Sequence, residues 1–359
     1  MMPRVSVGPS SVEAPPGQSV LESLLRAGVW MPSSCNQGTC GTCKVRVLSG
    51  AVDHRTSPLE TLPQEQRDAG LALACQSHPA GDVEVAPAGP ASAGAGEVRT
   101  HPLRDLVARI TGLEDVATDT RRVLLSLDEP LAFSAGQYVE LEVPRTGERR
   151  QFSLANTATE DRVLELHVRR VPGGAATDRW LFADAACGDE VRLTGPLGDF
   201  RAPEEEADDG APLVLLGGGT GLAPLLGIVR TALERHPDRE AVLYHGVRYA
   251  SDLYDTERLV DLEQRFASFR FVPVLSREET RAYRTGYVTD AFLADVASAR
   301  GWTGWLCGSP ALVESGAAAF KRRRMAPRLI HREKFTAAVP AAPGSPSETL
   351  TSPLTRTGA

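Results

Sequence analysis

Ser33-Ser34-Cys35-Asn36-Gln37-Gly38-Thr39-Cys40-Gly41-Thr42-Cys43-Lys44 decides the reading of the N-terminal part of the chain. Cys35, Cys40 and Cys43 stand in a C-x4-C-x2-C run, and Cys75 follows alone. That spacing is the plant-type ligation of a [2Fe–2S] cluster, in which three thiolates from one tight loop and a fourth from farther along meet on a small inorganic core. Gly38 and Gly41 allow the loop to curl. The small side chains of Ser33, Ser34, Thr39 and Thr42 leave room for backbone N–H groups to approach the sulfurs, and such hydrogen bonds tune the potential. Structural zinc usually takes two closely spaced pairs of ligands, which fits the spacing less well. A disulfide framework belongs to shorter, denser secreted chains. A cluster of this type sits near roughly −400 mV and carries one electron at a time.

Around this loop the chain of 359 residues falls into punctuated blocks. Residues 1–87 hold the cysteines. The run 86–96, APAGPASAGAG, has no apolar period and reads as a flexible boundary, with the linker at 88–97. Residues 98–202 contain alternating runs (YVELEVP, VLELHVRRV, VRLTGPL) expected to be antiparallel strands of a sheet or barrel. The acidic stretch PEEEADDG at 203–210 reads as a solvated loop. Residues 211–335 alternate apolar strands (LVLL, AVLYHG, FRFVPVL, GWLCG) with amphipathic stretches, the rhythm of parallel strands joined by helices. The Pro-, Ser- and Thr-rich tail, 336–359, is expected to be disordered.

The chain is 42% hydrophobic and 24% charged, with a net charge of −7. These values suit packed domains and argue against a nucleic-acid partner, which calls for a basic patch. The short basic run Lys321–Arg324 reads as a solvated helix end. No run approaches the ~18 apolar residues that span a membrane, and the N-terminus lacks an apolar signal core, so the expected location is the cytoplasm. Cys187 is expected to be a small buried residue. The histidines at 54, 78, 101, 236, 245 and 331 show no metal spacing.

A second chemical stretch is LVLLGGGTGLAPLLGIV, 213–229. A strand, a loop with Gly217, Gly218, Gly219 and Gly221, and an apolar helix suit close approach of a pyrophosphate to backbone N–H groups. Pro224 replaces the last glycine of the dinucleotide fingerprint, and no acidic residue follows the second strand for a ribose. Two further segments are weaker taken singly. Arg150-Gln151-Phe152-Ser153 offers a cation and an aromatic ring, but alone reads more simply as a surface Arg and a core Phe. Gly173-Gly174-Ala175-Ala176-Thr177 offers a backbone cradle, but alone reads more simply as a plain loop.

In order along residues 5–335, CNQGTCGTC, RQFSLAN, GGAAT, GGGTGLAP and CGSP together resemble the reductase components of bacterial multicomponent oxygenases, the ferredoxin–FAD–NAD(P) reductases of the ferredoxin–NADP reductase superfamily. The resemblance implies an α+β multidomain chain: a β-grasp ferredoxin domain, an antiparallel β-barrel for FAD and a parallel-sheet α/β domain for NAD(P). It implies cluster ligation by Cys35, Cys40, Cys43 and Cys75. It places FAD on Arg150, Phe152 and Ser153, with His167, Val168 and Arg170 along its ribityl–phosphate portion and Gly174, Ala175, Ala176 and Thr177 on its diphosphate. The dinucleotide would lie on Gly218, Gly219, Thr220 and Gly221. Cys307 and Gly308 would stand near the nicotinamide. Ser153, Cys307 and the aromatic Phe335 would be the catalytic group. Phe152 departs from the commoner Tyr, and the tail beyond Phe335 is longer than the family pattern. Ser276-Arg277, with Arg284 and Tyr287 downstream, resembles a 2′-phosphate site, yet the domain order favours NADH, with NADPH as the alternative.

The implied activity is hydride transfer from NADH to FAD, then single electrons through the cluster to a separate terminal oxygenase. The sequence holds no two-His-one-carboxylate or Glu-x-x-His site for the oxidation itself. The chain is expected to act as a monomer. A non-oxygenase acceptor, such as a deoxysugar dehydratase, and a redox sensor without turnover are the competing expectations. No general acid or base is assigned.

Overall fold

The computed structural model describes residues 2–89, 95–98, 100–203 and 208–336, built around three large sheets. The first is mixed. It comprises β1 (Arg4–Val7), β2 (Ser10–Glu13), β3 (Lys44–Ser49), β5 (Leu71–Leu73) and β7 (Val83–Pro87), in the order β2-β1-β7-β3-β5, with β1 and β7 parallel; β4 (Val52–Asp53) and β6 (His78–Pro79) form a separate ribbon. Helix α1 (Val20–Arg26) opens where the Ser19 hydroxyl accepts from the Glu22 amide at 3.1 Å. It buries Val20, Leu21, Leu24 and Leu25, the stripe a 3.6-residue period allows. A short helix, α2 (Gln64–Asp68), lies before β5.

The second sheet is antiparallel throughout. Its strands are β8 (Arg104–Ala117), β9 (Thr120–Leu127), β10 (Tyr138–Glu142), β11 (Arg149–Ser153), β12 (Val163–Arg169) and β13 (Glu190–Leu197), in the order β11-β10-β13-β8-β9-β12. A bridge between Leu154 and Leu166 joins the two outermost strands, so the sheet closes as the expected barrel. Val123, Leu125, Val139, Leu141, Leu164 and Leu166 fill it.

The third sheet is parallel: β14 (Leu213–Gly218), β15 (Ala241–Val247), β16 (Phe269–Leu275), β17 (Arg284–Thr285), β18 (Thr303–Gly308) and β19 (Ile330–Lys334), ordered β17-β16-β15-β14-β18-β19. Leu213 to Leu216 are all buried, because helices cover both faces. Helices α3 (Leu222–Arg235) and α4 (Thr256–Arg265) pack on one side, α5 (Val288–Asp295) and α6 (Pro310–Arg322) on the other. No helix among the described residues is long and apolar enough to cross a membrane.

Several expectations change here. Cys187 is exposed, in the turn before β13 rather than in a core. Ala86 and Pro87 belong to β7. Within the linker stretch, the Gly96 amide donates to the Trp30 carbonyl at 3.1 Å and its carbonyl accepts from Ser10, so residues 95–98 run along the first domain. Residues 90–94, and the tail 337–359, lie outside the described residues. In the acidic stretch, Asp208 is not solvated: Arg239 meets it, with one bond at 3.2 Å, and both side chains are almost fully buried. Arg323 turns in to the Leu293 carbonyl, while Lys321, Arg322 and Arg324 are exposed.

Candidate functional site

Gly38 and Gly41 adopt φ of +77° and +73°, and a Cβ on Gly38 would meet Pro58 and Gln76 at under 3.0 Å. The loop therefore curls as its glycines predicted. The loop's three thiols and that of Cys75 form two pairs. Cys43 and Cys75 are buried with their sulfurs 3.2 Å apart, far beyond a disulfide bond, and all six cysteines are free. Cys35 pairs with Cys40, and that shared hydrogen bond, with others from Thr39 and the backbone, lowers the Cys35 thiol while it raises that of Cys40. The amides of Gln37 and Cys40 approach the Cys35 sulfur at 3.4 Å, and the Thr42 amide approaches Cys40 at the same distance. Two thiol pairs ringed by amide donors fit a dinuclear iron cluster. Cys40 lies at the exposed edge.

This loop sits against β10 and β11. The Tyr138 hydroxyl donates to the Ser34 carbonyl at 2.6 Å. The Gln151 amide donates to the Cys35 carbonyl. The Asn36 amide donates to Glu140 at 3.2 Å. Beside them, Asp199 accepts from the Ser33 amide and the Trp30 indole, each at 2.7 Å.

At Ser153, the last residue of β11, three elements converge. Ser153 Oγ donates to Glu333 Oε2 at 3.4 Å, and the Cys307 sulfur lies 3.9 Å from the same oxygen. The Phe335 amide donates to the Gly308 carbonyl at 2.8 Å, and its ring is 37% exposed. Glu333 is the functional candidate that sequence reading missed. It is contributed by β19, the neighbour of β18 that carries Cys307, and only tertiary packing brings it to Ser153. Its position two residues before Phe335 was the available signal. Burial raises its carboxyl to about 8. Burial and the nearby Glu333 charge raise the Cys307 thiol as well. At neutral pH the group therefore offers a protonated carboxyl, a neutral thiol and a hydroxyl.

Phe152 is half-buried on the barrel core, and Arg150 contacts Glu148 at 2.7 Å. Gly174 opens a helix, Ala175–Asp184, whose N-terminus no side chain caps. Thr177 turns its hydroxyl back to accept from Val171, and Arg170 and the Gly173 amide both bind Asp178. An uncapped helix start on a braced loop suits a diphosphate. Val168 is buried in the barrel. His167 is fully buried too, with Nε2 2.9 Å from Glu165 and Nδ1 3.2 Å from the Tyr254 hydroxyl, so both ring nitrogens face protein groups.

The His167 neighbourhood ties the barrel to the parallel-sheet domain. Glu165 and Asp255 are matched by Arg122 and Arg258, and the Tyr254 hydroxyl is 3.4 Å from the Gly219 carbonyl. Hydrogen bonds and charge from His167 and Arg258 outweigh burial and hold the Glu165 carboxyl well below its ordinary range. Glu165, His167 and Asp255 have metal-like spacing, but two guanidiniums already neutralise the carboxylates. His245 donates to the Gly219 carbonyl at 3.0 Å. That carbonyl is thus held inward at the turn containing Gly218, Gly219, Thr220 and Gly221, before the uncapped start of α3. A Cβ on Gly221 would stand 2.3 Å from the Cys307 carbonyl oxygen, so the turn and the Cys307-Gly308 segment touch backbone to backbone. Ser276 bonds the Val247 carbonyl at 3.1 Å, Arg277 is exposed, and Arg284 is committed to Asp295 at 2.6 and 2.7 Å.

Residues 5–80 match the 2Fe-2S iron-sulfur cluster binding domain, 107–202 the oxidoreductase FAD-binding domain and 215–317 the oxidoreductase NAD-binding domain. The reductase subunit of an aromatic O-demethylase from Amycolatopsis sp. is 65% identical over 93% of this chain and 98% of its own length. The chain belongs to the reductase components of multicomponent oxygenases. The reductase component of a Pseudomonas phenol 2-monooxygenase is 34% identical over 92% of the chain and 93% of its own length. A crystal structure of an Amycolatopsis cytochrome P450 reductase aligns with a TM-score of 0.91 at 64% identity, covering 94% of this chain and all of that one. This reductase is accordingly an FAD-, NAD- and 2Fe-2S-binding oxidoreductase.

Two outcomes follow from the reductase geometry. Gly221→Ala forces the turn away from Cys307. The Michaelis constant for NADH is expected to rise about tenfold, roughly 1.4 kcal/mol, with FAD content unchanged; steady-state kinetics beside flavin quantitation checks it. For Glu333, the folded state holds its proton from the ordinary 4.5 up to about 8, so it binds more protons than the unfolded state across that window. Stability therefore falls as pH rises through it. Glu333→Gln removes that component of the slope, read from thermal unfolding midpoints between those pH values.

Proposed function

We propose that this reductase takes hydride from NADH on its C-terminal domain and delivers single electrons from the Cys40 edge of its cluster to a haem oxygenase that demethylates aromatic ethers. One observation carries the reading. β11 reaches Ser153, beside Cys307 and Glu333, at one end, and the cluster loop through Gln151 two residues away. The acceptor class rests on the 65% identical aromatic O-demethylase reductase subunit and the 64% identical P450 reductase.

Bound FAD supplies two-electron acceptance and one-electron release, and the cluster supplies one-electron carriage. The chain's residues do the rest. Phe152 and Ser153 hold one side of the flavin site, with Arg150 and the Ala175–Thr177 helix start toward its phosphates. His167 and Val168 brace the strand behind. Gly218, Gly219, Thr220 and Gly221 present amides to the dinucleotide diphosphate, while Gly308 and Cys307 leave a close, neutral surface for the nicotinamide. The Ser153 hydroxyl and protonated Glu333 keep a proton within reach of the reacting face. Phe335 covers that face against water. Ser276 and Arg277 lie toward the adenosine end, and NADH is the donor we favour. The four cysteines hold the iron. The protein works as one chain in the cytoplasm.

Anaerobic addition of NADH is expected to bleach first flavin and then cluster absorbance. Cys40→Ser is expected to keep the flavin phase and lose cytochrome c reduction. A protein whose colour changes with neither NADH nor NADPH would overturn the reading.

A further inference from the structure

We infer that Gln151 is the positioning residue that joins the flavin strand to the cluster and sets the rate of internal electron transfer. The inference rests on the placement of FAD and cluster given above. Strand geometry is its starting point. Alternate residues share a face, and antiparallel partners face the same way, so Tyr138, Glu140, Gln151 and Ser153 lie together on one face of β10 and β11. Arg150 and Phe152 take the other. The residue between Arg150 and Phe152 is thus turned out of the barrel and toward the first domain.

On that face, three successive residues of the cluster loop are each held by one barrel side chain: Ser34 by Tyr138, Cys35 by Gln151 and Asn36 by Glu140. Of these three barrel side chains, Gln151 is the one that reaches a cluster ligand. Its amide nitrogen has two hydrogens and three oxygens in range: the Cys35 carbonyl, Glu140 Oε1 at 3.2 Å and the Tyr138 hydroxyl at 3.4 Å. The first two are the acceptors it can satisfy. Glu140 is buried, and burial raises its carboxyl while Gln151 and Asn36 pull it down. That carboxyl fixes the Gln151 rotamer, and the rotamer fixes the bond to Cys35. Ser153 stands two positions along the strand, about 7 Å away. A short covalent path and one hydrogen bond thus separate the flavin side of β11 from the peptide of Cys35.

With FAD, NADH and the cluster bound, hydride from NADH would reduce the flavin and leave NAD⁺, single electrons would pass on to the cluster and from it to the partner, and the proton carried with the hydride would be released to solvent as the flavin returned to its oxidised form. Gln151 supplies no proton and no electron. It holds the two ends in register, and loss of register in a positioned pair can cost up to about a hundredfold in rate.

The test is anaerobic rapid mixing of the cofactor-loaded protein with NADH, following flavin and cluster phases separately. Gln151→Met keeps the length and removes the donor; Gln151→Ala removes the reach. Both are expected to bind FAD and iron in full and to bleach the flavin at the wild-type rate. The cluster phase is expected to slow about tenfold or more. Deuterium uptake across residues 33–40 is expected to rise, with the cluster potential unchanged. Tyr138→Phe, which removes the neighbouring bond to Ser34 but leaves Cys35 held, is expected to slow the cluster phase less than Gln151→Met. A cluster phase that keeps its rate in both Gln151 variants overturns the inference, and so does equal slowing by Tyr138→Phe, which assigns the effect to docking in general. Loss of the flavin phase itself would instead count against the placement of FAD and NADH.

Discussion

The polar face that β10 and β11 turn toward the cluster loop is the constraint on which the rest of this reductase depends. Tyr138, Glu140 and Gln151 each hold one residue of the loop, and Asp199 holds Ser33 and Trp30 beside them. A neutral hydrogen bond adds only about 0.5–1.5 kcal/mol to stability, but a buried donor or acceptor stripped of its partner costs about 1–3 kcal/mol. Docking the two domains in any other register would leave several such groups buried without partners. The apolar contacts run the same way, since Tyr138 and Leu197 of the barrel pack into the core of the first domain. The interface therefore favours one arrangement, with the cysteine loop against β10 and β11.

The β9 and β12 part of the barrel is tied down by different chemistry. Arg122, Glu165, His167, Asp255 and Arg258 form a charge-matched buried group that continues through Tyr254 to the Gly219 carbonyl. Such groups hold geometry more than they add stability. Here they set the glycine turn at 218–221 relative to β12, while Gly221 lets that turn touch Cys307. The barrel is the fixed middle of the molecule, and each neighbouring domain brings one backbone turn to it.

Much of this was legible in the sequence because its signals are local. Cysteine spacing, glycine turns and the two hydrophobic periods are properties of short windows, and they placed the cluster loop, the barrel strands and the parallel sheet. What escaped was set by contacts between distant positions. Glu333 reads as one charge in an exposed-looking strand until β19 pairs with β18 and brings it to Ser153. Gln151 reads as a spacer inside a motif until the first domain docks on it. Asp208 looks like solvated acid until Arg239 closes over it, and Cys187 looks apolar although its turn is exposed. The ring contacts of His167 with Glu165 and Tyr254 were likewise not legible in its strand. Composition cannot carry these facts, because each depends on which element packs beside which.

The most direct test of a fixed cluster-to-flavin arrangement is the solvent-viscosity dependence of internal electron transfer. In single turnovers with NADH, the cluster phase is measured in buffer and in increasing sucrose. A docked loop needs no domain swing, so the rate constant is predicted to stay level as viscosity rises. A rate that falls in proportion to viscosity would mean that the first domain must travel to collect its electron, and would contradict the account.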